Sequence, residues 1–144
     1  MRVRVCGIHI QDKKILLVKH RALQEEGFFW APPGGGLQFG ETLSEALKRE
    51  FLEETGLIVT VSSLIAVTEY IQLPLHAIEL FYQVIVVDGR LIQGKDPEIS
   101  EDNQIISGVK MLSLSEIQQL KQENYVKHTF HSILDNVQVL ELLM

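Results

Sequence analysis

The chain has 144 residues, of which 19 are acidic and 13 are lysine or arginine, for a net charge of −6. At 46% hydrophobic with only four prolines it is long enough for a real core, so one domain over residues 1–144 is expected and the composition argues against a disordered chain. The acidic balance argues against a nucleic-acid polymer as partner, since phosphate backbones are gripped by clustered Lys and Arg.

No apolar run approaches membrane length, and the first residues lack a signal-peptide core. Cys6 is the single cysteine, which excludes an internal disulfide and fits a reducing cytoplasm. Its expected place is a buried position on a strand.

In chain order, Val3, Val5, Ile8 and Ile10 stand among β-formers and predict a first strand. Residues 11–14 read as a polar hairpin turn, and residues 15–18 as an apolar run suited to a buried strand. Residues 19–27 are polar and expected as a loop. Within it, Lys19, His20 and Arg21 are candidates to meet phosphate, with a solvated charge cluster as the competing explanation. Phe28, Phe29 and Trp30 re-enter the fold, chiefly as core, with one ring available to stack on a base.

Residues 34–57 are the most informative stretch. Gly34, Gly35, Gly36 and Gly40 make a glycine-rich loop, and Thr42 followed by Glu45 is a capping box that opens a helix over about residues 43–55. Gly56 is placed to stop that helix in the left-handed conformation. At 100° per residue, Leu43, Ala46, Leu47 and Phe51 form one apolar stripe, with Ser44, Glu45, Lys48 and Thr55 opposite. Glu50 and Glu54 fall inside the stripe and Glu53 flanks it.

Acids at the last turns oppose the helix dipole, and the i, i+3, i+4 spacing makes all three neighbours. At ~5 Å and an effective dielectric of ~20, each like-charge pair costs about 3 kcal/mol. A hard dication removes that repulsion, and oxygen ligands suit Mg²⁺ or Mn²⁺. A solvated charge run is the ordinary alternative, and it leaves the inward acids unexplained.

After the helix, residues 57–61 and 64–71 are extended, and Pro74 breaks the run within a loop over residues 73–76. Residues 77–87 form a strong strand ending at the Asp88-Gly89 turn. Residues 94–108 are polar and acidic, long enough for a mobile loop over a site. A short strand over 109–112 is followed by a second capping box, Ser113 with Glu116, opening a helix to about residue 121. Residues 129–134 suggest a further short helix, and the apolar tail 137–144 is expected to dock. The five histidines show no metal-ligand spacing. Periodicity alone supports a single α+β domain.

The glycine loop and helix resemble the signature of the Nudix hydrolases. That pattern is G, five residues, E, seven residues, R-E, a bulky apolar residue, any residue, E-E, any residue, G, then apolar. Gly35, Glu41, Arg49, Glu50, Phe51, Glu53, Glu54, Gly56 and Leu57 fall in register over a box at residues 35–57. Phe51 is aromatic where an aliphatic is more usual, and residues 30–34 look like the family's lead-in.

The resemblance implies an α/β/α sandwich around a central mixed β-sheet. It also implies a pyrophosphohydrolase that cleaves a nucleoside diphosphate linked to X, such as a nucleoside triphosphate, ADP-ribose or a nucleotide sugar, by water attack on phosphorus. Mg²⁺ or Mn²⁺ is then held by Glu50, Glu53, Glu54 and the backbone carbonyl of Gly34. By the same resemblance Arg49 orients a glutamate, Glu50 is one candidate general base, and Glu41 steadies the loop or helps bind a second ion. A further glutamate from a loop beyond the box falls to Glu98 or Glu101, with Asp102 and Gln104 nearby. A proline shortly after the box accompanies ADP-ribose use in parts of the family, and Pro74 stands one residue out of that register.

The alternative is a non-catalytic, nucleotide-sensing or regulatory Nudix domain; such proteins usually lose box acids, and this chain keeps them. A purely structural interaction domain leaves the clustered glutamates without a purpose. A small nucleotide-type molecule is the expected partner, and a homodimer stays open.

Overall fold

The computed structural model describes residues 1–21, 27–91 and 106–144; Glu98, Glu101, Asp102 and Gln104 lie outside the described residues. The elements are β1 (Arg2–Ile8), β2 (Ile10–Gln11), β3 (Lys14–Arg21), β4 (Phe28–Ala31), β5 (Gly34–Gly36), α1 (Leu43–Thr55), β6 (Leu57–Gln72) and β7 (Leu75–Gly89). They continue with β8 (Ile106–Ser113), α2 (Leu114–Gln122), α3 (His128–His131), a 3-10 turn (Ile133–Asp135) and α4 (Val137–Leu143).

One sheet has the order β5-β1-β7-β6. The β1–β7 pair is parallel while β1–β5 and β6–β7 are antiparallel, so the sheet is mixed, as expected. In the other sheet β3 is the spine: β8 runs antiparallel along one edge, and β2 and β4 pair with opposite ends of the other. The β2–β3 hairpin closes through Asp12 (φ 54) and Lys13 (φ 61), the left-handed pair a two-residue turn demands.

Alternation along the strands builds the layers. Val5, Leu16, Val59 and Val84 pack with Ala46, Leu47 and Phe51 of α1. Cys6, Ile8, Ile15, Leu17 and Phe81 pack instead with Ile117, Phe130, Ile133, Val139 and Leu143 from the C-terminal segment. Helices therefore cover both sides of the strands, the α/β/α arrangement. Phe51 is fully buried, and a ring of that size contributes about 2–3 kcal/mol by leaving water.

Several local expectations shift. Lys19, His20 and Arg21 belong to β3, paired with Phe28–Trp30 of β4, because the aromatic run supplies them with a partner strand. β6 is one strand of 16 residues whose register slips near Val61, Leu64 and Ala66, where two were expected. β7 starts at Leu75, and β8 at Ile106, each earlier than the apolar runs suggest. Ser113 and Glu116 form a complete capping box at α2.

Thr55 is buried, against its expected outer position. The chain turns inward at Gly56, and the Thr55 hydroxyl bridges the turn, donating to Phe51 O (2.6 Å) and accepting from Leu57 N (3.2 Å).

Candidate functional site

α1 aims its acids by its own periodicity. Thr42 caps it, accepting from Glu45 N at 3.1 Å, although Glu45 returns to the Thr42 hydroxyl rather than to its backbone. Gly56, at φ 77, ends it by donating its N–H to Leu52 O at 3.0 Å. Between these caps the buried stripe Ala46, Leu47 and Phe51 runs on into Glu54, which is only 5% exposed. No basic residue occupies the last turn, so the counter-charge for these acids comes from Arg49, one turn earlier.

Glu54 Oε1 accepts a hydrogen bond from Gly34 N at 3.3 Å. Its Oε2 is buried and meets no hydrogen-bond donor. Burial, then the neighbouring Glu50 charge, push the Glu54 carboxyl well above the ordinary carboxylate range, against the opposing pull of the Gly34 amide. The glycine strand lies so close that a Cβ on Gly35 would run into the Glu50 carboxylate. The sequence feature and the packing thus agree: only a bare backbone fits against these acids.

Arg49 ties the loop to the helix. Its Nε donates to Glu41 Oε2 (3.1 Å) and its Nη2 to Glu41 Oε1 (2.8 Å), a two-point grip. Nη1 donates to Glu50 Oε1 (2.8 Å) and to Glu53 Oε2 (3.4 Å), and Nη2 also reaches Gly36 O (3.2 Å). Glu41 further accepts from Gln38 N at 2.8 Å, and the Arg49 hydrogen bonds hold its carboxyl below the usual range. Glu41 in turn is the main influence that raises the Arg49 pKa, which keeps the guanidinium charged.

Among the described residues no three His, Cys, Asp or Glu side chains stand together as a ready cation cage. The reason is geometric: Arg49 draws Glu50 and Glu53 to itself while Glu54 turns inward to Gly34. The donor set nevertheless fits a hard cation. A buried carboxylate oxygen with no donor beside a second carboxylate needs a proton or a positive ion, and both groups are oxygen ligands.

A second polar group escaped the sequence. Glu79 on β7 is 1% exposed and forms ion pairs through Oε2 with Lys127 Nζ (3.0 Å) and Arg4 Nε (3.6 Å); Cys6 Sγ donates to the same oxygen at 3.7 Å. Burial pushes the Glu79 carboxyl up, but Lys127, Thr129 and Arg4 outweigh it and hold it below its ordinary value. Burial also pushes the Cys6 thiol up to about 12, so it stays a neutral thiol. The one available signal was a glutamate at an inward position of an apolar strand, between Ala77 and Phe81.

A family model described as the NUDIX domain matches residues 1–132. Over 101 residues the chain is 41% identical to an ADP-ribose pyrophosphatase of Methanocaldococcus jannaschii, covering 69% of this chain but only 59% of that relative's length. Over 122 residues it is 33% identical to the nucleoside triphosphatase NudI of Enterobacter sp. (strain 638), covering 79% of this chain and 85% of that one. A MutT NUDIX hydrolase from Burkholderia pseudomallei shares the fold at TM-score 0.73 and 23% identity, with 94% of this chain and 97% of that one covered. A box in register, a match over nearly the whole length and a shared architecture lead to one statement: this chain belongs to the NUDIX family.

Proposed function

We propose that the chain is a metal-dependent pyrophosphohydrolase that cleaves a nucleoside diphosphate linked to X by attack of water on phosphorus. The observation that carries this is Glu54 Oε2, buried without a donor beside Glu50 at the end of the box helix. The names of the relatives, an ADP-ribose pyrophosphatase and a nucleoside triphosphatase, point to substrates of the same class.

Glu50, Glu53, Glu54 and the Gly34 carbonyl are the residues that would hold Mg²⁺ or Mn²⁺. Such an ion supplies positive charge against the diphosphate oxygens and makes water easier to deprotonate. The remaining work falls to the chain. Glu50, the candidate general base, would accept a proton from the attacking water, and Arg49 Nη1, which donates to it at 2.8 Å, supports its orientation. Arg49 acts through Glu41 and Gly36 as a positioning residue, fixing the loop against the helix.

The test is a hydrolysis screen over nucleoside triphosphates, ADP-ribose, nucleotide sugars and dinucleoside polyphosphates, with Mg²⁺ and with chelator. Turnover in Mg²⁺, abolished by chelator, is expected. Tight nucleotide binding with no release of product from any compound would establish a sensing domain instead.

A further inference from the structure

Across the first sheet, Gly36, Arg4, Glu79 and Thr68 are direct cross-strand neighbours on β5, β1, β7 and β6. Neighbours in one row share a face. The row starts two residues from Gly34, whose amide holds Glu54, and Glu79 lies about 10 Å from the glycine strand at the usual strand spacing. Lys127 and Thr129 reach the same carboxylate from the C-terminal segment.

This group is incompletely partnered. Arg4 Nε sits 3.6 Å from Glu79 Oε2, close enough for an ion pair and too long for a hydrogen bond. Thr68 Oγ1 is buried and also lacks a hydrogen-bond partner, while the Thr129 hydroxyl lies beside Glu79 and favours its charge. More than nine in ten buried polar groups in proteins are partnered, so two orphans on the cross-strand neighbours of Glu79, Arg4 Nε and Thr68 Oγ1, point to a partner from outside the chain. An approach to these buried groups would run past Arg4 and Lys127, whose side chains are 23% and 24% exposed.

We propose that Glu79, Arg4 and Lys127, with Thr68 and Thr129, form the specificity site for the substrate's heterocycle and select an amide-like edge, a ring N–H beside a carbonyl. The inference rests on the pyrophosphohydrolase function proposed above and adds which nucleotides it takes. An ionised Glu79 accepts from a ring N–H. Arg4 and Lys127 then need an acceptor beside it, and a carbonyl oxygen has two lone pairs for two cationic donors, where the ring nitrogen of an amino-substituted edge has one. A phosphate is a poor occupant, because it would face the Glu79 charge. A flat ring suits the surroundings: His20 stacks on Phe29 at 5.1 Å, within electrostatic reach of both Lys127 and Arg4.

The experiment measures calorimetric binding of GMP, UMP, AMP, CMP and ribose 5-phosphate to the full chain in chelator, where no turnover interferes. GMP and UMP should bind at least about tenfold more tightly than AMP and CMP, with ribose 5-phosphate weakest. Glu79→Gln should erase the GMP-over-AMP preference. Thr68→Val, which removes an orphaned hydroxyl, should leave the melting temperature unchanged or raised while weakening GMP several-fold.

A GMP-to-AMP ratio near one in the wild type, no binding by any nucleotide, or ribose 5-phosphate binding as well as GMP would overturn the proposal. So would a Glu79→Gln variant that shifts only the melting temperature. If base selectivity persists in a protein that hydrolyses nothing, the recognition site stands and the hydrolase function falls. If hydrolysis is robust and binding ignores the base, the opposite holds.

Discussion

Arg49 grips both oxygens of Glu41, through Nε at 3.1 Å and Nη2 at 2.8 Å, across the seven residues that lie between them. A lysine has one point charge and cannot reproduce that fork while also reaching Glu50 and Gly36 O. Arg49→Lys should lower kcat at least about tenfold with little change in KM, since the residue orients groups rather than binding substrate. In a double-mutant cycle with Glu41→Ala, the stability coupling should be about 1 kcal/mol. Additive losses would mean the pair does not act as a unit.

Glu54 is the acid with most strain to release. In the metal-free protein, Glu54→Gln replaces a buried carboxyl that otherwise needs a proton or a positive ion, and should be as stable as wild type or more so, by on the order of 1 kcal/mol. Its turnover should nevertheless fall by orders of magnitude, while Glu45→Gln, on the exposed face, keeps most of it. Millimolar Mg²⁺ should raise the melting temperature of wild type more than that of Glu54→Gln. A strongly destabilised variant in chelator would assign Glu54 a purely structural role.

The glycine strand offers a paired comparison. A methyl on Gly35 would collide with the Glu50 carboxylate, whereas one on Gly36 would meet only the end of the flexible Arg2 side chain at 3.0 Å. Gly35→Ala should lose activity and about 1–3 kcal/mol of stability. Gly36→Ala should cost little of either. Equal losses, read by thermal melts and initial rates, would contradict this placement of the acids.

Burial, then Lys127 and Arg4, lower the pKa of His20 to about 4 from its ordinary 6.5. The unfolded chain therefore binds a proton that the folded chain refuses between those values. The stability from a neutral His20 is complete above about pH 6.5 and is lost as pH falls towards 4, by at most about 3 kcal/mol. Urea melts at pH 7 and pH 4.5 should show a smaller drop for His20→Phe, which keeps the stack on Phe29. Equal drops would place His20 in ordinary solvent.

What the sequence revealed is what is local. α1 spans Leu43–Thr55 as its caps predict, and the inward turn of Glu54 follows from counting 100° per residue. Glu41 is different: its place in the box was visible, but its grip on Arg49 depends on how the loop folds back. The Arg4, Glu79 and Lys127 cluster was invisible because its members are brought together by the parallel β1–β7 pairing and by a C-terminal segment 48 residues from Glu79. Thr55 misled for a related reason, since helical periodicity says nothing about where the chain goes after Gly56. Lys19 to Arg21 look like a loop until β4 supplies the partner that makes them a strand.

β1 serves two masters on alternate residues: Val5 faces the α1 core, while Arg4 and Cys6 face away from it. Deleting or inserting a single residue between Val3 and Gly7 would swap those assignments at a stroke, driving a guanidinium against Phe51 and valine towards Glu79. This segment therefore accepts changes of residue far more readily than changes of count. The exposed hairpin tip at Leu73 and Pro74 carries no such constraint. Variation in chain length should accumulate there, and variation in chemistry along the row that runs through Arg4.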